Sequence, residues 1–143
     1  MILIDANLLL YAHLLKAEEH ARARAWLDWQ LNEPVRVGLP WSCLLAFIRI
    51  STNPRLHAIP ETTEGACSLV ETWLARENVW VPDPGPRHAE ILLSLLRATR
   101  ARGNLTSDAH IAALSIEHGL TICSADTDFA RFPNVRWMNP LLA

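Results

Sequence analysis

No apolar stretch in this sequence approaches the ~18 residues that a membrane span requires, so no membrane association is expected. The apolar run at the N-terminus has no basic region before it and is broken early by Asp5, which argues against a signal peptide. Cysteine is scarce and scattered. Cys43, Cys67 and Cys123 never form a CxxC pair, which counts against a disulfide framework or a zinc ribbon and fits a reducing cytoplasm. The six histidines show neither H-x3-H nor HExxH spacing, and no serine sits in a G-x-S-x-G elbow. Zinc-protease and serine-hydrolase chemistry therefore find no support. Lysine is nearly missing: Lys16 stands alone beside twelve arginines. No Pro- or Gly-rich linker, internal repeat or low-complexity tract divides the chain, so residues 1–143 are expected to form one domain.

Half of the 143 residues are apolar, which excludes a disordered chain and leaves enough material for a real core. The net charge of −2 does not advertise a nucleic-acid binder. Arginine dominance suits bidentate phosphate contacts, but a GC-rich genome gives the same bias, so nothing follows from it alone. Short apolar runs read as strands: MILI (1–4), VRVGL (35–39), VWVP (79–82), LTICS (120–124) and VRWM (135–138). Longer helical patterns lie between them, beginning with a first helix that ends before Lys16. In residues 18–31 the expected apolar surface is Ala21, Ala25, Leu27, Trp29 and Leu31. A helix starts after Pro40, and another after Thr62 with Cys67, Val70 and Leu74 in phase. The pattern of Ile91, Leu92, Leu95 and Leu96 is expected to stop at Gly103, and a second short helix runs over 107–119 with Asp108 at its start. Strands alternating with helices imply an α/β fold with a parallel sheet covered on both faces.

Five of the six aspartates fall at junctions. Asp5 follows the first strand, Asp83 the third, Asp126 and Asp128 the fourth, and Asp108 opens the preceding helix. Any one of them could simply cap a helix or shape a turn. If strands one and four are neighbours, however, Asp5, Asp126 and Asp128 emerge together beyond the carboxyl ends of the strands, where such sheets hold their sites, and Asp108 can close the group. Carboxylates brought that close repel unless a cation neutralises them, and a hard ion such as Mg2+ or Mn2+ suits an all-oxygen set. Receiver domains and haloacid-dehalogenase-type phosphatases also place an Asp after the first strand. Both need a Lys at the acids, whereas Lys16 lies past the first helix, and the dehalogenase pattern wants a second Asp where Asn7 stands. His110, two residues after Asp108, could reach the site, but a place on the helix surface is the expectation.

The segments MILIDANLLLYA, LTSDAHIAALSIEHGLTICSADTDFARFP and VRWMNPL resemble the PIN-domain ribonucleases, and more narrowly the VapC toxins of bacterial VapBC toxin–antitoxin modules. The resemblance spans essentially the whole chain. It implies a three-layer sandwich with a central parallel sheet of about five strands in the order 3-2-1-4-5. It also implies Mg2+- or Mn2+-dependent endoribonuclease activity leaving 5′-phosphate and 3′-hydroxyl ends, a homodimer, and inhibition by a VapB-type antitoxin. Carried across residue by residue, Asp5, Asp108, Asp126 and Asp128 are the metal-binding and catalytic acids, and Asn7 and Ser124 support them. The family's usual Glu on the helix after the second strand is missing. Ala46 stands about there, and no acid occurs between Glu33 and Glu61.

RNA contacts are expected from Arg49, Arg55 and Arg131, with Arg97, Arg100 and Arg102 forming a solvated helix end. Single-stranded loops of a transfer or ribosomal RNA are easier to read than duplex. The helix WSCLLAFIRI is apolar on more than one face, as a central core helix or one buried against a second subunit or an antitoxin helix would be. Trp26, Trp29, Trp73 and Trp80 are expected as core or interface anchors. The competing expectation is a catalytically impaired PIN domain that only binds RNA or its antitoxin, having lost turnover with the Glu.

Overall fold

The computed structural model of this chain describes residues 1–142. In chain order the elements are β1 (Ile2–Ile4), α1 (Ala6–His13), α2 (His20–Asn32), β2 (Val37–Gly38), α3 (Trp41–Ser51), α4 (Thr63–Leu74), β3 (Val79–Trp80), α5 (His88–Thr99), α6 (Asn104–His118), β4 (Thr121–Cys123), a 3-10 turn (Thr127–Arg131) and β5 (Trp137–Met138). The strands form one sheet in the order β3-β2-β1-β4-β5, with every neighbouring pair parallel. This is the expected fold and strand order. β1 is central: Ile2 pairs with Val37 on one side, and Leu3 and Ile4 pair with Ile122 and Cys123 on the other.

Alternation along these short strands divides the core in two. Ile4, Val37 and Cys123 join Leu8, Leu9, Leu44, Phe47 and Trp73 on the face covered by α1 to α4. Leu3 and Ile122 join Ile91, Leu95, Ala109, Ala112 and Phe129 on the face covered by α5, α6 and the 3-10 turn. Leu3, Ile4 and Ile122 are fully buried, each stabilising the fold by about 1.5–3 kcal/mol relative to an exposed side chain. The ladders are shorter than the apolar runs in the sequence, because strand ends leave the hydrogen-bonding register before the side chains leave the core.

Four local expectations are corrected. In α2 the buried stripe is Ala23, Leu27 and Leu31, at four-residue spacing. Ala21, Ala25 and Trp29 face solvent, and Trp29 is therefore not a core anchor. In α4 the buried positions are Ala66, Val70 and Trp73, with Thr62 capping the Gly65 N–H as expected. α5 does not run to Gly103. It ends at Thr99, where Arg100 adopts a left-handed conformation (φ 51°) and the Ala101 N–H returns to the Leu96 carbonyl at 3.1 Å. Gly103, at φ 56° and ψ −131°, instead precedes α6 in a conformation that essentially only glycine tolerates. Helix α6 consequently begins at Asn104, and Asp108 lies a full turn inside it rather than at its start.

Candidate active site

The site grows from the adjacent exits of β1 and β4. Asp5 closes β1: its backbone N–H reaches the Cys123 carbonyl at 3.0 Å, and its carboxylate caps α1 by accepting from the Ala6 N–H at 2.8 Å. Ser124 is fully buried at the exit of β4, and its hydroxyl donates to Asp5 Oδ2 at 2.7 Å. The same Ser124 oxygen accepts from Asn7 Nδ2 at 3.0 Å and from the Asp126 N–H at 3.0 Å. Asn7 Oδ1 accepts from the Ala125 N–H at 3.2 Å, so Asn7 bridges the two strand exits. Asp126 then caps the 3-10 turn by accepting from the Asp128 N–H at 2.8 Å.

Asp108 approaches from α6, held there by Ala109, Ala112 and Ala113 buried beneath it. One carboxylate oxygen from each of Asp108, Asp126 and Asp128 lies within 4.8 Å of the other two. Asp5 stands beside this group, its oxygens already engaged by Ala6, Ser124, Asn7 and, at 3.8 Å, the Cys43 thiol. Burial and repulsion by Asp126, Asp5 and Asp128 push the Asp108 carboxyl up to about 6. Burial also raises Asp5, with Asp126 adding to the rise and the Ser124 and Ala6 hydrogen bonds opposing it. Burial holds the Cys43 thiol well above its ordinary value, with Asp5 reinforcing the shift, so it stays protonated. Arg131 approaches the cluster through Asp128, at 3.8 Å.

An octahedral magnesium-sized ion spaces its ligand oxygens roughly 3–4 Å apart. Three carboxylate oxygens already within 4.8 Å of one another fit such an ion, and their chemistry suits a hard cation.

From this acidic end a cleft of about 750 Å³ runs between α3, α5 and α6. Asp5, Asp108, Ala46, Arg49 and His110 are among its lining residues. Ala46 presents only a methyl group to it. Arg55 is not brought there; it is exposed on the turn after α3, where its N–H binds Asn53 Oδ1 at 2.9 Å. His110 is not a surface residue. It is half-buried in the cleft wall, and its Nδ1 lies 3.1 Å from Nε2 of the buried His88. Burial, with the neighbouring His88, lowers His110 below the ordinary histidine value. Sequence reading missed this pair and Cys43, because the partners lie on separate elements with no local spacing to mark them.

The profile of the PIN domain matches residues 2–135. The chain belongs to the PIN domain family. Ribonuclease VapC33 of Mycobacterium tuberculosis is 43% identical to this PIN domain over 141 residues, covering 99% of each chain, which sets it within the VapC ribonucleases of that family. Among solved structures, Mycobacterium tuberculosis VapC20, a sarcin-ricin loop cleaving toxin, superposes at a TM-score of 0.69 with 19% identity, covering 95% of this chain and 99% of that one. VapBC2 from Rickettsia felis, bound to a DNA fragment from its promoter, superposes at 0.68 with 18% identity, covering 97% and 98%. Those two likenesses are of fold. No helix among the described residues is long and apolar enough to cross a membrane.

Proposed function

We propose that this PIN domain is the toxin of a type II toxin–antitoxin module, a Mg2+- or Mn2+-dependent endoribonuclease that cuts single-stranded loops of structured RNA and so stops translation and growth. The observation that carries the proposal is the convergence of Asp108, Asp126 and Asp128 from two elements onto one point beside Asp5. Asp108, Asp126 and Asp128 would hold the cation, with Asp5 completing the site. When bound, the cation supplies charge neutralisation at the scissile phosphate and a water activated for in-line attack. Ser124 and Asn7 fix Asp5 and the Asp126 loop relative to each other. Arg49 in the cleft and Arg131 at its acidic end meet phosphates on either side of the cut.

A VapB-type antitoxin is the expected partner, in keeping with the VapBC assembly among the structural neighbours. A homodimer would cover the exposed Trp41 and Leu45 of α3, apolar side chains left outside the core. One observation favours a different reading, a PIN domain that binds but does not cut: Ala46 lines the cleft, about where the family resemblance implies a Glu. Antitoxin-free protein incubated with total bacterial RNA, with and without Mg2+ or Mn2+ and beside Asp126→Asn, separates the two, with new 5′ ends mapped by sequencing. Discrete metal-dependent cuts that vanish in the variant support the nuclease. Intact RNA from folded protein across metals and concentrations rejects it in favour of the binding module.

A further inference from the structure

Three side chains behind the cleft form a chain that the nuclease chemistry above does not use. Glu117 is anchored by the Gly85 and Arg87 N–H groups, which donate to its two oxygens at 2.8 and 3.0 Å. Its Oε1 lies 3.9 Å from Nδ1 of His88, a nitrogen that is buried and has no hydrogen-bond partner among the described residues. The other nitrogen of His88 meets Nδ1 of His110 at 3.1 Å, with the rings edge to face. His110 Nε2 makes no hydrogen bond among the described residues, and the ring lines the cleft.

The carboxylate decides where the protons lie. A bare lone pair on His88 Nδ1 facing Glu117 would be repelled, so Nδ1 carries the proton and His88 Nε2 is left as an acceptor. His110 must then donate from Nδ1, which leaves its Nε2 as an acceptor directed away from His88. An acceptor is an unusual group to offer a polyanion. Phosphate oxygens cannot bond to it, and on the sugar–phosphate backbone of a nucleic acid the only donor is the ribose 2′-hydroxyl.

We propose that His110 Nε2 accepts a hydrogen bond from a ribose 2′-hydroxyl of the strand lying in the cleft, so that His110 selects RNA over DNA, with His88 and Glu117 as residues that position it in the accepting tautomer. The inference rests on the RNA-cleaving reading of the same cleft and names how that cleft recognises its substrate.

The first test needs no substrate. Long-range 1H–15N correlation spectra of the wild-type protein should find His110 protonated at Nδ1 and bare at Nε2; the reverse tautomer overturns the proposal. The second compares a labelled single-stranded oligoribonucleotide with the deoxyuridine-containing DNA of the same sequence, by fluorescence anisotropy in EDTA. Base donors are common to both probes, so only the 2′-hydroxyl distinguishes them. One neutral hydrogen bond corresponds to a preference for ribose of about three- to tenfold. His110→Ala should abolish that preference by weakening the RNA alone. His88→Leu should reduce it, and His88→Gln should restore it, because the amide oxygen can still accept from His110 while its N–H faces Glu117. A ribose preference that survives His110→Ala, or equal weakening of both probes, rejects the role of His110 while leaving the nuclease intact. Wild-type protein that binds neither probe and cuts no RNA rejects both readings.

Discussion

Replacing Asp108 by Asn should stabilise the metal-free protein while removing its cleavage activity. The Asp108 carboxyl is pushed from 3.8 to about 6 by burial and by three neighbouring aspartates. Taken whole, that difference corresponds to about 3 kcal/mol; Asp108 is only half-buried, and solvent screening brings the expected gain to about 1 kcal/mol. Because the folded value is raised, the native state holds a proton that the unfolded chain has released between about pH 4 and pH 6. Wild-type stability therefore falls as pH rises through that window, and the penalty is complete above it. The gain from Asp108→Asn should be absent near pH 4 and full at pH 7, where it raises the melting temperature by roughly 3–4 °C in a chain of this size. Added Mg2+ should raise the wild-type melting temperature and leave the variant nearly unmoved. Thermal unfolding in EDTA and then in excess Mg2+, at both pH values, reads all of this. A variant no more stable than wild type at pH 7 in EDTA would show that the carboxylates do not crowd as described. Equal Mg2+ shifts in both proteins would remove the cluster as the cation site.

Other substitutions probe the supports and the surface. Ser124→Ala removes the 2.7 Å bond to Asp5 and the acceptor used by Asn7 and Asp126; urea unfolding should show a loss of about 1–3 kcal/mol, together with loss of cleavage. Arg49→Ala should leave the melting temperature unchanged and lower the slope of log affinity against log salt for single-stranded RNA by about 0.7. An unchanged slope would place the strand elsewhere. Arg100→Gly relieves a left-handed conformation at an exposed position. Its net gain after the greater flexibility of the unfolded chain should be about 0.5–1 kcal/mol in chemical denaturation.

What could be read from the sequence depended on whether the signal was local. The strands announced themselves as apolar runs, and Thr62 announced its helix through a capping hydroxyl. The start of α6 did not. Asn104, Leu105 and Thr106 carry no apolar periodicity strong enough to extend the pattern upstream, and Gly103 is equally suited to ending one helix or preceding the next. Asp108 was therefore placed one turn too close to a helix terminus. Trp29 misled for the opposite reason: a large apolar side chain looks like core, yet the four-residue spacing of Ala23, Leu27 and Leu31 turns it outward. His88 and His110 lie 3.1 Å apart across two helices, a contact that no spacing along the chain could signal.

The aspartate that interrupts the first apolar run illustrates how a capping role and a site role coincide. Asp5 does cap its helix, accepting from the Ala6 N–H. Yet a neutral serine or asparagine could make that bond without burying a charge, and burial raises the Asp5 carboxyl above its ordinary value. Capping alone does not account for a buried carboxylate that also accepts from Ser124 at the exit of β4 and from Asn7 in the first turn of α1. The bonds that Asp5 and Asn7 make to Ser124 join segments more than a hundred residues apart, and they depend on the pairing of β1 with β4. The pairing that places β1 at the centre of the sheet is thus the same contact that brings Asp5 to Asp126, so a change that shifts the β1–β4 register separates Asp5 from the Asp108–Asp126–Asp128 group.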